Sequence, residues 1–210
     1  MCKNMLIILI LTLLFGNLGK ASAQSLDDIR SVNENTVSLT ADFTQTVTNA
    51  ARKSSATSEG KIYLGEEREL AMLYNEPSTE IFIINDDALY MCRGGRTGLY
   101  DTTKNKPMGE LSQTILGCVR GTLTELADAT SSDLSFKKVG NGIEVVLKSK
   151  VKRSKGYSEI TLLYDSKSLR LQRMLMREYN GNTTLYEISN HNTTGAIPSS
   201  VFDIDRYQKR

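Results

Sequence analysis

Tryptophan is absent from this 210-residue chain and histidine occurs once. A single imidazole rules out a multi-histidine metal site and gives histidine-based nucleophilic catalysis almost nothing to work with. That residue, His191, sits in a polar Asn190-His191-Asn192 stretch and reads as an exposed or turn position. With no tryptophan and only five phenylalanines, any large apolar enclosure must be lined mainly by Leu, Ile, Val, Met and Tyr. An excess of either charge is also lacking. The first 23 residues carry Lys3 and Lys20 and no acid, so the remainder balances 24 basic against 24 acidic residues. A neutral chain of mixed charge offers no electrostatic case for nucleic acid. The one long apolar run, residues 5–15, is too short to cross a bilayer core that needs about 20 residues.

What is present starts with that run. Lys3 precedes it and Ala21-Ser22-Ala23 follows it, the pattern of a secretory signal peptide cut before Gln24. Cys2 lies ahead of the run, so no cysteine stands where a lipoprotein signal would need one. The reading is a leader over 1–23 and a soluble, exported, monomeric single domain over 24–210, located in the periplasm. Cys92 and Cys118 survive cleavage and are either a disulfide or two unlinked buried thiols.

Hydrophobic periodicity then assigns the elements. Ser25 with Asp27 and Asp28 opens a helix of about ten residues, with Leu26, Ile29 and Val32 at helical spacing. From 38 to 48, Leu39, Ala41, Phe43, Gln45 and Val47 alternate with threonines and Asp42, the period of a half-buried strand. Short β-type runs follow at 61–64, 70–74, 81–84, 88–92 and 97–100. Asn85-Asp86-Asp87 and Arg93-Gly94-Gly95-Arg96 read as hairpin tips. Residues 108–126 switch to a helical stripe, Leu111, Ile115, Cys118 or Val119, Leu123 and Leu126. Gly117 and Gly121 weaken that helix, which can bend, split in two, or pack closely on a strand. Strands resume after 134, with Asn141-Gly142 and Asn180-Gly181 between β runs as hairpin signals. No parallel βαβ rhythm appears. The class is α+β, an antiparallel sheet with one helical insert.

Several short motifs in this order resemble the LolA-type periplasmic lipoprotein carriers. They are Ala41-Asp42-Phe43-Thr44-Gln45-Thr46-Val47, Glu59-Gly60-Lys61-Ile62-Tyr63-Leu64, Tyr74-Asn75-Glu76-Pro77 leading to the 81–84 strand and the turn at 85–87, Gly181-Asn182-Thr183-Thr184, and Ile197-Pro198-Ser199-Ser200-Val201-Phe202. The resemblance implies an incomplete antiparallel β-barrel of about 10–11 strands, with an N-terminal helix and a helical insert covering its concave face. It also implies a non-enzymatic chaperone without cofactor or metal, carrying the acyl chains of lipoproteins from the inner to the outer membrane. Its partners would be acylated lipoproteins, an inner-membrane lipoprotein-releasing transporter and an outer-membrane acceptor. One departure stands out. Family carriers often have an Arg-Pro pair, then Phe and Trp, in the second to third strands, the arginine helping to close the lid. Here that stretch reads Glu66-Glu67-Arg68-Glu69-Leu70-Ala71-Met72-Leu73-Tyr74. The difference bears on closure and ligand identity rather than on fold.

A carrier of this kind has a physical requirement. Each buried acyl CH₂ contributes about 0.8 kcal/mol, so exposing a 16-carbon chain to water costs roughly 12 kcal/mol. The enclosure expected here is lined by Phe43, Ile62, Leu64, Leu70, Met72, Tyr74, Phe82, Ile115, Leu116 and Val119. In it Leu70, Met72 and Tyr74 face the helical insert across a closable space. Two other readings stay open: a related lipid- or partner-binding module without carrier activity, and a secreted two-carboxylate hydrolase.

Overall fold

The computed structural model of the chain describes residues 18–66, 68–75 and 79–208. Most of the expected leader, Glu67 and the Glu76-Pro77 part of one motif lie outside these residues. A helix, α1 (Leu18–Glu34), precedes six strands: β1 (Leu39–Asn49), β2 (Ser54–Leu64), β3 (Glu69–Tyr74), β4 (Ile81–Asn85), β5 (Ala88–Arg93) and β6 (Arg96–Asp101). Two helices follow, α2 (Lys106–Arg120) and α3 (Leu123–Thr130). Five more strands complete the sheet: β7 (Ser132–Val139), β8 (Gly142–Ser149), β9 (Tyr157–Asp165), β10 (Leu171–Glu178) and β11 (Thr183–Asn192). The described residues close with a 3₁₀ turn (Ser199–Val201) and a short helix, α4 (Ile204–Gln208).

All eleven strands form one sheet in the order β6-β5-β4-β3-β2-β1-β11-β10-β9-β8-β7, and every pairing is antiparallel. β6 and β7 are the two edges and do not pair. The sheet is therefore an open, incomplete barrel, as the resemblance implies, and the α2–α3 connection between its edges packs on the concave face. The period-two reading of β1 holds: Leu39, Ala41, Phe43 and Gln45 are buried while Thr40, Asp42, Thr44 and Thr46 are half-exposed. β2 begins at Ser54, well ahead of the run read from sequence. Its first residues are Ser, Ala and Thr with no apolar alternation, and pairing with β1 alone holds them in the strand. Thr48 and Ser55 meet hydroxyl to hydroxyl at 2.9 Å across that pair.

The two early tips lie where expected, with Asp86-Asp87 and Gly94-Gly95 as two-residue loops. The later Asn141-Gly142 signal is displaced by one residue. The loop is Gly140-Asn141, because Gly142 already pairs with both Val139 and Asp165. The helical insert splits in two. Gly121 caps α2 in the left-handed region, φ 71°, and a Cβ there would lie 2.8 Å from Ile29 Cγ2. Both the backbone angle and the approach of α1 require glycine at this position.

Helix is also found outside the expected places. The described part of α1 already runs from Leu18, ahead of Ser25. The C-terminal segment lies on the convex face, where Phe202 and Tyr207 cover Ala71, Ile83 and Tyr90. The Asn85 side-chain amide donates to the Phe202 carbonyl at 3.1 Å. β3 is thus buried on both faces, through Leu70 and Met72 on one side and Ala71 on the other. The sheet also separates the cysteines. Cys118 lies in the concave core and Cys92 against the convex cluster, and both are free thiols.

Candidate functional site

The concave face of the sheet and the helices over it form one apolar cluster. Phe43, Ile62, Leu64, Leu70, Met72, Ile115, Leu116 and Val119 are buried members of it, with Tyr74 and Phe82 packed against it. Strand register explains the grouping: Ile62, Met72 and Phe82 are successive cross-strand partners, as are Leu64, Leu70 and Ile84. Near the centre, Phe43 lies edge-on to Tyr74, ring centroids 4.9 Å apart, and to Tyr186 at 6.1 Å. Gly60 makes room for that ring, since a Cβ there would sit 2.8 Å from it. Gln45, buried among these aromatics, donates to the Tyr186 hydroxyl at 2.6 Å. Burial holds the Tyr74 phenol well above its ordinary pKa, with Tyr186 adding to the shift, so it stays a neutral hydroxyl.

Polar side chains fasten the helices to the sheet at the C-terminal end of α2. The buried Arg120 guanidinium donates to the carbonyls of Thr36 and Gly65, both at 2.8 Å, and to that of Glu66. Arg170 donates to Asn33 Oδ1 at 3.0 Å and Thr36 Oγ1 at 2.8 Å. Asn33 in turn donates to the Ile29 and Leu169 carbonyls at 2.7 and 2.8 Å. The Tyr164 hydroxyl reaches the Cys118 carbonyl at 2.5 Å, tying α2 to β9. Arg68, which stands in the stretch compared with the family's Arg-Pro pair, has no part in this. It is exposed and donates to Asp86 and Asp87 in the β4–β5 turn. The arginine between helix and sheet comes instead from the helix.

The N-terminal half of α2 is less deeply buried than its C-terminal half, where the buried residues begin at Ser112. Between it and β8–β10 lies a cavity of about 470 Å³. Its apolar wall is Met108 and Leu111 of α2, Leu147 of β8, and Tyr157 and Ile160 of β9. Its rim carries Glu110, Glu159 and Glu178 together with Arg153 and Lys155 of the β8–β9 loop. Arg153 Nη1 bridges to both Glu110 oxygens at 3.3 Å across the mouth. Burial pushes the Tyr157 phenol pKa up. None of the ten residues expected to line an enclosure borders this cavity. Ile62 and Val119 border only a gap of about 10 Å³ beside Asn33 and His191. Leu147 and Ile160 belong to the core and to the cavity wall alike, so the two regions adjoin.

Met108 and Leu111 continue the helical stripe that contains Ile115, and that signal alone brought two of the five wall residues within reach of sequence. Leu147, Tyr157 and Ile160 come from strands whose distance to α2 depends on sheet curvature, which has no local signature. His191 also differs from its sequence reading. It is part of β11 and half-buried, a ring nitrogen 3.0 Å from the Leu171 carbonyl. Among the described residues no group of three His, Cys, Asp or Glu side chains is placed to hold a metal ion.

Solved structures of similar shape include a LolA superfamily protein from Nitrosomonas europaea, at 10% identity and TM-score 0.46, covering 88% of this chain and 99% of that one. A putative outer membrane lipoprotein-sorting protein domain from Vibrio parahaemolyticus is 13% identical at TM-score 0.48, covering 91% and 99%. Lipoprotein LppX of Mycobacterium tuberculosis is 12% identical at TM-score 0.40, covering 84% and 99%. No curated protein matches the sequence. The family model for the outer membrane lipoprotein carrier protein LolA matches residues 34–205, taking in every strand and both helices over the concave face. With this span matched across the open sheet and its helical cover, the chain belongs to the LolA family.

Proposed function

We propose that this protein binds the acyl chains of lipoproteins and carries them between membranes as a non-enzymatic periplasmic chaperone. The observation that carries this reading is the cavity of about 470 Å³ beneath α2, apolar within and polar at its rim. Its volume falls in the roughly 300–1,000 Å³ range of small-molecule sites. Met108, Leu111, Leu147, Tyr157 and Ile160 would receive the first part of a chain. Further methylenes would enter the adjoining core as α2 swings outward about its C-terminal end, parting Ile115 and Leu116 from the sheet and opening the way to Phe43, Ile62, Leu64, Leu70, Met72, Tyr74 and Phe82, with Val119 beside the fixed end. The hydrogen bonds at Arg120 and Tyr164 would serve as the fixed end of that movement. Methionine at positions 72, 108, 174 and 176 suits a surface that must adapt to flexible chains. Cleavage after Ala23, a periplasmic location, and a membrane donor and acceptor for the cargo belong to the same proposal.

The test is recovery of the tagged protein from periplasm, followed by mass spectrometry of what accompanies it. Acylated protein supports the carrier reading. Free lipid alone would support a lipid-binding module without carrier activity, a reading favoured by the absence of the Arg-Pro pair from the β2–β3 turn. Absence of any acylated species, together with no binding of a fluorescent fatty-acyl probe, would remove both.

A further inference from the structure

The loop that forms one lip of the cavity has an unusual composition. Together with the last two residues of β8 it reads Lys-Ser-Lys-Val-Lys-Arg-Ser-Lys-Gly from 148 to 156, five cations in nine residues with no acid. Beyond the leader the chain as a whole is neutral, so this is a local concentration and not a share of a general excess. Residues 150–156 are all exposed, and Val151 among them is 46% accessible. Lys150 is engaged by Asp133 at 3.4 Å and Arg153 by Glu110. Lys148, Lys152 and Lys155 have no ion pair among the described residues. Beside the loop, half-buried Tyr179 donates its hydroxyl to the Val151 carbonyl and holds an aromatic ring at the same rim.

We infer that this loop docks the mouth of the cavity onto an anionic lipid bilayer. Lysines near a membrane surface are attracted by anionic head groups over about a Debye length. An apolar side chain between them can enter the interface, and tyrosine favours the same depth. A single anionic lipid held inside the mouth is the poorer fit, because Glu159 and Glu178 border it with no ion pair among the described residues, and Arg153 at its rim is already engaged by Glu110. A flat anionic surface meets only the outward lysines. Docking there would place the apolar wall against the lipid phase, so a chain could pass between bilayer and cavity without crossing water. This inference rests on the acyl-binding reading for its purpose, though the docking itself can be measured apart from it.

The experiment is co-sedimentation of the exported protein with vesicles of phosphatidylcholine, alone or mixed with phosphatidylglycerol, at low and high salt. Binding is expected only to the mixed vesicles and should weaken as salt rises. Lys148→Gln/Lys152→Glu and Val151→Asp alter residues that do not line the cavity. Each should lower partitioning, the double variant by at least roughly tenfold, with thermal melts and fatty-acyl probe affinity unchanged. Equal binding to both vesicle types, no binding to either, or variants that bind like wild type would overturn the inference. Probe titration of the same samples separates the two ideas. Vesicle binding without probe binding removes the acyl reading and leaves the docking surface, and the reverse result removes the docking surface alone.

Discussion

Arg120 of α2 donates to the backbone carbonyl of Gly65 in the β2–β3 turn at 2.8 Å, although 55 residues separate the two in sequence. The same guanidinium serves the carbonyls of Thr36 and Glu66, so one side chain joins three separate segments at one end of the molecule. A planar group with several fixed donors can do this where a single ammonium cannot.

Arg120→Leu should therefore cost more than a surface change. Buried carbonyls would lose their donor, at roughly 2–4 kcal/mol in total. Urea unfolding is the measurement, and Arg120→Lys should recover only part of the loss. Full recovery by lysine would show that charge, not the fork of hydrogen bonds, matters here.

Met72 and Leu111 test core against cavity. Met72 is 3% exposed within the packed cluster, so Met72→Glu should destabilise the unloaded protein by several kcal/mol, an unpaired charge being placed among apolar side chains. Leu111 is half-buried on the cavity wall, where Leu111→Glu can reach solvent. Its cost to stability should stay near about 1 kcal/mol, while fatty-acyl probe binding falls by at least about tenfold. Denaturation and probe titration on both variants decide the matter. A stable Met72→Glu protein would mean that an open space already exists beside β3.

The single histidine gives a pH signature. Burial pushes the His191 pKa below its ordinary 6.5, and neighbouring Arg170 adds to the push. The unfolded chain then takes up this proton more readily than the folded protein. Stability from this group is complete above about pH 6.5 and is lost as pH falls through the folded-state value. His191→Gln should flatten the stability curve below pH 6.5 and leave it unchanged at pH 8. An imidazole resonance titrating at or above 6.5 would contradict the assignment.

The two thiols should differ sharply in reactivity. Cys118 is fully enclosed and burial pushes its pKa up to about 12, while Cys92 is half-buried on the other side of the sheet. Under native conditions an alkylating reagent should label Cys92 and spare Cys118 until the protein unfolds. Mass spectrometry of a labelling time course reads this directly. Equal labelling of both thiols would mean that α2 leaves the sheet often.

Much of the architecture was legible without coordinates because its signals are local. Alternation along 39–47 places each side chain of β1 on a face whatever its neighbours do. The tips at 85–87 and 93–96 mark hairpins through residues that tolerate turn geometry. The stripe through Leu111 and Ile115 announces a helix by its period alone. Such patterns determine an antiparallel sheet with a helical insert, and the order of the motifs carries the family.

What the chain could not show locally was decided by contact. Ser54 and Ser55 belong to β2 only because β1 is beside them. Gly121 ends a helix where several outcomes were open, because α1 packs against it through Ile29. Tertiary packing brought Arg120 to Gly65 and set Cys92 and Cys118 on opposite faces of the sheet. It also filled the space beneath Leu70 and Met72 while leaving one open between Leu111 and Ile160. Periodicity records which side of an element is apolar. How far two apolar sides stand apart depends on the curvature of the whole sheet, and only the folded chain sets that distance.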